Sequence, residues 1–134
     1  MTITGLLLRF AIAYAICLGA GAVATHYLGI KGGTGINTAS LLVSTLYAGT
    51  AFVQENARQL TPREKWQAWA GILATDSCLQ IGITHVMLGT LEGSPPGLPL
   101  LLSGGLLFVA AVHGVCAWCV IGLTAKFSAR PGIH

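Results

Sequence analysis

Apolar and polar positions fall along this chain in long blocks. Four charge-poor stretches, at residues 5–28, 36–53, 66–91 and 98–123, are separated by short connectors at 29–35, 54–65 and 92–97, and a tail follows from Thr124. A helix needs about 20 mostly apolar residues, at roughly 1.5 Å each, to cross the hydrocarbon of a bilayer, so the pattern predicts four spanning helices. The connectors and tail are too short to fold by themselves. The expected fold is therefore an all-α polytopic membrane protein, a four-transmembrane-helix bundle forming one domain over residues 1–134, with any activity inside it or on its rims.

The third stretch has an ionisable residue at its centre. Asp76 stands ten residues past Trp66, about 15 Å into the helix, where an unpaired acid costs at least about 2.5 kcal/mol. A partner is therefore expected. Asp76, Gln80 and Thr84 share an arc at about 100° per residue, with Ser77 beside them. His113 lies ten residues from the far end of the fourth stretch, at the same estimated depth, and the short 92–97 connector predicts that these two helices are antiparallel neighbours. Tyr14 and Ser44 have similar depth, so Asp76, Gln80, His113, Tyr14 and Ser44 form the expected intramembrane polar network. Small residues recur every fourth position in two stripes, Ala11, Ala15 and Gly19, and Ala70, Ala74, Cys78 and Gly82. Such stripes let helix backbones approach in lipid and are the expected packing faces.

Composition fixes the class and charge the orientation. Hydrophobic residues make up 54% of the 134 and charged residues 8%, against about 25% charged in an ordinary soluble domain. Arg9, Arg58, Arg63, Lys65, Lys126 and Arg130 fall on one side and only Lys31 on the other. Basic residues collect in the cytoplasm, so both termini and the 54–65 connector are expected there. Trp66 and Trp69 mark the headgroup zone on that side. Thr61, Pro62 and Glu64 form a helix-start signal: a capping hydroxyl, a proline at the first helical position, and a carboxylate that reaches back. Ala22-Val23-Ala24 resembles a signal cleavage site, but the preceding apolar run exceeds the 7 to 15 residues of a signal core, so the first stretch is read as a retained span.

Gly35-Ile36-Asn37 entering a small-residue helix, Ala51-Phe52-Val53 leaving it, and Thr61-Pro62-Arg63-Glu64-Lys65-Trp66 opening the next resemble a family of short four-helix bacterial inner-membrane proteins without an established activity. The resemblance lies mainly over residues 35–69, about a quarter of the chain. It implies the same topology and brings no catalytic residue with it.

Other candidate chemistry is sparse. Cys116-Ala117-Trp118-Cys119 has redox spacing, and His113 extends it to a set of metal-ligand candidates, His113, Cys116 and Cys119. Steps of three drift about 60° around a helix and converge three ligands poorly, while thiols toward the cytosol stay reduced. Buried, unreactive cysteines and no metal are the expectation. His26 and His85 differ in depth, so haem is not expected, nor is any other cofactor. The glycine-rich 29–37 connector lacks the GxxxxGK of a phosphate loop, and no basic, aromatic surface suggests nucleic acid. The expected function is non-catalytic: helix–helix interaction with another membrane protein or with itself, as an accessory subunit or an immunity protein against a membrane-targeted toxin. The alternatives are a small transporter or ion-conducting oligomer using Asp76, and a redox or cofactor-binding membrane enzyme.

Overall fold

A computed structural model of the chain describes residues 1–29, 34–89 and 98–127. They form four α-helices: α1 (Ile3–Leu28), α2 (Thr34–Asn56), α3 (Pro62–Gly89) and α4 (Leu98–Phe127). α3 starts at Pro62, the first helical position expected from Thr61, Pro62 and Glu64, and α1, α2 and α4 run two to four residues past their apolar blocks because backbone hydrogen bonding continues into the polar ends. The expected outer connectors, with Lys31 and the proline-rich turn, lie for the most part outside the described residues, as do Arg130 and the side chain of Lys126.

Among the described residues three helices are long and apolar enough to cross a membrane, over Ile3–Leu28, Gly35–Asn56 and Gly104–Thr124. The expectation was four. At 28 residues α3 has the length, but Thr75, Asp76, Ser77, Gln80 and Thr84 make it more polar than the others. Much of that polarity is turned inward. Asp76 is fully buried, and Thr75 closes onto the Gly71 carbonyl.

α1 packs on α2 and α3, and α4 packs on the same two, so the helices stand in the cyclic order α1, α2, α4, α3. Contacts fix their directions. The Met1 amine donates to Asn56 Oδ1 at 2.7 Å, and the Trp69 indole donates to the Gly114 carbonyl at 2.7 Å, so α1 is antiparallel to α2 and α3 to α4. Gly71 meets Leu7 and Gly49 meets Thr124, so the α1/α3 and α2/α4 pairs run parallel. A Cβ at Gly71 would lie 2.5 Å from Leu7 Cδ1, and one at Gly49 2.8 Å from Thr124 Cγ2, which makes these two glycines the close-approach points of the parallel pairs.

The core follows a four-residue rhythm: Leu6, Phe10 and Tyr14 on α1, Leu41, Ala48 and Phe52 on α2, Ala68 and Ile72 on α3, Ala117 and Ile121 on α4. This corrects the expected packing faces. Ala15, Gly19, Ala70, Ala74, Cys78 and Gly82 are exposed and Ala11 is half-buried. The reason is angular. Two residues turn a helix by about 200°, so once Asp76 faces inward, Ala74 and Cys78 must face out.

The end of the bundle that gathers the start of α1, the end of α2, the start of α3 and the end of α4 is rich in basic groups. Its charges are mostly matched. Arg9 pairs with Glu55 at 2.5 Å, and the Arg58 guanidinium grips Glu64 through both terminal nitrogens at 2.8 Å each. The capping box forms as expected: the Thr61 amide donates to Glu64 Oε2 at 2.9 Å, and the Glu64 amide donates to Thr61 Oγ1 at 3.3 Å. The hydrogen bonds from Arg58, then those from Thr61, hold the Glu64 carboxyl down at about 2.

Candidate functional site

Six side chains, contributed by all four helices, meet inside the bundle. Asp76 is central, and its carboxylate is hydrogen-bonded on both oxygens. Oδ1 contacts the Tyr14 hydroxyl at 2.5 Å. Oδ2 accepts from Gln80 Nε2 at 2.8 Å and faces His113 Nδ1 at 2.8 Å. The far side of the imidazole, Nε2, stands 3.0 Å from Thr38 Oγ1, and the far side of the Tyr14 hydroxyl stands 2.5 Å from Asn37 Oδ1. Asp76, His113 and Tyr14 are fully buried, while Asn37, Thr38 and Gln80 are half-buried.

Each helix supplies its member through the same rhythm that builds its apolar core. Tyr14 continues Leu6 and Phe10, Asp76 continues Ala68 and Ile72, and His113 precedes Ala117 and Ile121 by one turn. Gln80 lies one turn beyond Asp76 and reaches back to the same carboxylate. The Phe10 and Tyr14 rings stack at 5.4 Å, which holds the phenol over the acid.

Counting protons limits the states this arrangement can take. Tyr14 has one hydroxyl proton and faces two oxygens, Asn37 Oδ1 and Asp76 Oδ1. Two arrangements satisfy it. Either Tyr14 donates to an ionised Asp76 and the Asn37 amide is turned to donate to Tyr14, or a protonated Asp76 donates to Tyr14, which then donates to Asn37. The two differ by one proton on Asp76 and one amide flip. On the other oxygen, a His113 that donates from Nδ1 is left with Nε2 to accept from Thr38. The 3.2 Å approach of Gln80 Nε2 to His113 Nδ1 is then a contact between two donors, and Gln80 is bonded to Asp76 alone. The result is a line of hydrogen-bonding groups, Asn37, Tyr14, Asp76, His113 and Thr38, through which a proton can be passed or simply held.

Asp76, Gln80, His113 and Tyr14 come together as expected, and Ser44 does not. Its hydroxyl is buried with no hydrogen-bond partner, as is that of Thr45. Ser44 stands seven residues beyond Asn37 on α2, about 10 Å nearer the basic end, too far along to reach the acid. Asn37 and Thr38 take the expected place of Ser44. Asn37 and Thr38 stand at the very start of the expected 36–53 stretch, beside the connector, a depth that puts both at the rim. The inward rhythm of α2 carries the missing signal: run back one turn from Leu41, it arrives at Asn37 and Thr38.

The sulfur chemistry does not assemble. Cys17, Cys78, Cys116 and Cys119 are all free thiols; Cys78 and Cys119 are exposed, and Cys17 and Cys116 half-buried. Cys116 packs against the core, the expected burial of Cys119 is corrected, and Cys78 faces outward with its stripe. Among the described residues no three His, Cys, Asp or Glu side chains are grouped to hold a metal ion, and His113 of the candidate set is turned to Asp76 instead. His26 and His85 are exposed, His26 lying edge-on to Tyr27.

No protein-family model matches the chain, and no curated protein or solved structure matches it either, so the site stands on its own geometry.

Proposed function

We propose that this chain is a multi-pass protein of the bacterial inner membrane in which all four helices span, with both termini and the 57–61 connector in the cytoplasm, and that it groups with the four-helix family its sequence resembles. The gathering of Arg9, Arg58, Arg63 and Lys65 at one end supports the orientation. Membership of α3 among the spans is supported by the hydrogen bonding of Asp76, which offsets the cost of an acid in lipid.

Its function in this reading is non-catalytic: it binds another membrane protein through helix faces, as an accessory subunit or as an immunity protein against a membrane-targeted toxin. One observation carries this. The α3 stripe Ala70, Ala74, Cys78 and Gly82 has the spacing of a close-packing face yet is exposed along its whole length, because α3 turns its opposite side to its own bundle. Crosslinking in native membranes followed by mass spectrometry tests it. A second membrane protein should be recovered with the wild type and lost with Ala74→Leu, whose added bulk leaves the fold intact. Recovery of this chain only overturns the reading.

A second reading, proton or ion handling by a small transporter, is favoured by the acid–imidazole–hydroxyl line through Asp76, His113 and Thr38. Under it, Asp76→Asn abolishes proton-coupled flux into dye-loaded liposomes. Under the first reading, Asp76→Asn leaves partner recovery nearly unchanged.

A further inference from the structure

The basic end holds a half-buried cation, Lys65, that lies against an aromatic ring instead of being matched by an acid. Arg9 is paired with Glu55 and Arg58 with Glu64. Among the described residues Lys65 has no acidic partner. Its ammonium lies 5.5 Å from the centre of the Trp118 ring and beside Gly122. Lys65 also lines a cavity of about 340 Å³, together with Gln59, Thr124, Trp66 and Trp118. The same two indoles line a second space, a groove of about 600 Å³ between α3 and α4, with Leu73, Ala110, Ala111 and Val115. A cavity that holds a cation and an apolar furrow along the helices thus share Trp66 and Trp118 as lining residues.

This polarity is that of one phospholipid. A phosphate suits Lys65 as a charge partner, indoles prefer the headgroup zone, and an acyl chain suits a furrow whose walls are alanine, leucine and valine. Small side chains at Ala110 and Ala111 keep the furrow open, and the Trp69 indole, tied to the Gly114 carbonyl, forms part of its wall. We propose that the α3/α4 face is a binding site for a single anionic phospholipid, with the headgroup phosphate at Lys65 and one acyl chain in the furrow beyond Trp66 and Trp118. The site is separate from the Asp76 network and from the exposed α3 stripe, and does not depend on either functional reading.

The protein supplies its own probe, because all three of its tryptophans, Trp66, Trp69 and Trp118, stand together here, Trp66 4.7 Å from Trp118 and 5.3 Å from Trp69. The full chain is reconstituted in phosphatidylcholine vesicles containing increasing fractions of phosphatidylglycerol or phosphatidylcholine brominated on the acyl chain, and tryptophan quenching is followed. Half-maximal quenching is expected at about fivefold lower brominated phosphatidylglycerol, the preference of roughly one lysine contact near a membrane surface. Lys65→Gln should remove that preference, Lys65→Arg keep it, and Arg63→Gln, which removes the same charge from an exposed position outside the cavity, leave most of it. Equal quenching by the two lipids in the wild type means ordinary lipid contact and overturns the proposal. So does a preference that survives Lys65→Gln or falls equally with Arg63→Gln. The wild-type comparison decides the matter even if Lys65→Gln fails to fold.

Discussion

The basic end and the mid-bundle network are both polar, yet their polarity is of different kinds. At the basic end Arg58, Thr61 and Glu64 are exposed or half-buried, close in sequence, and joined by bonds within the seven residues 58–64. In the network Tyr14, Asn37, Asp76 and His113 come from four helices, and Tyr14, Asp76 and His113 are fully buried. Water can replace a lost partner in the first region. It has no ready access to the second, where an orphaned group bears its full desolvation cost. Hydrogen bonds of equal length therefore carry different weight, and the network is where this fold is most specifically determined.

Removing the centre of the network strains that contrast most. Asp76→Ala leaves Tyr14, Gln80 and His113 facing a void, and should destabilise the protein by about 3–5 kcal/mol, the range for breaking a buried pair. Arg58→Ala at the basic end should cost far less. Unfolding of both variants in detergent, followed by helical circular dichroism against added dodecyl sulfate, checks this. Similar losses in the two would abolish the distinction. Gly71→Val should come next, at about 1–3 kcal/mol, because its side chain would need the space of Leu7 where α1 and α3 approach.

The contrast also marks how far the sequence could be read. The capping box was fully legible, since a threonine, a proline and a glutamate at fixed offsets contain their whole geometry within one turn. The meeting of Asp76 with His113 was legible from depth, because equal rise along antiparallel neighbours brings equal depths together. Depth alone failed for Ser44, which fits an estimate of height but stands about 10 Å along α2 from Asn37, which meets Tyr14, with Thr38 beside it meeting His113. The packing faces were misread for another reason. Four-residue spacing identifies a stripe without saying which way it turns, and that was set by Asp76: an acid required inside fixes Ile72 and Ala68 beside it and sends Ala74 and Cys78 out. The four interfaces, and the glycines at the parallel ones, depend on which helices are neighbours, a long-range fact that no local pattern contains.

Ser44 sharpens the comparison from inside the bundle. It is as buried as Asp76, yet its hydroxyl has no partner, so Ser44→Ala removes an unsatisfied group and little packing. The variant should be neutral or more stable by up to about 1 kcal/mol. A loss of more than that would mean that Ser44 belongs to the network after all, and burial without bonding would no longer separate the two hydroxyl-bearing faces of the bundle.

The smallest effect is expected at the basic end, in the pH dependence of Glu64. Its carboxyl, ordinarily near 4.5, is held at about 2 in the folded protein, first by the Arg58 hydrogen bonds and then by those of Thr61. A depressed carboxyl binds its proton more readily in the unfolded chain, so its contribution is complete above the unfolded value and is lost as pH falls from about 4.5 towards 2. Glu64→Gln isolates this, because glutamine can still close the capping box while lacking the charge that Arg58 grips. Wild type and variant should therefore differ in melting temperature at pH 7 and converge as the pH falls through that window. The gap should also shrink in high salt, since Glu64 and Arg58 are open to solvent. A gap that persists at pH 2 would trace to the shape of the side chain instead of its charge, and the basic end would then be held by the geometry of its helix start with no measurable share from the ion pair.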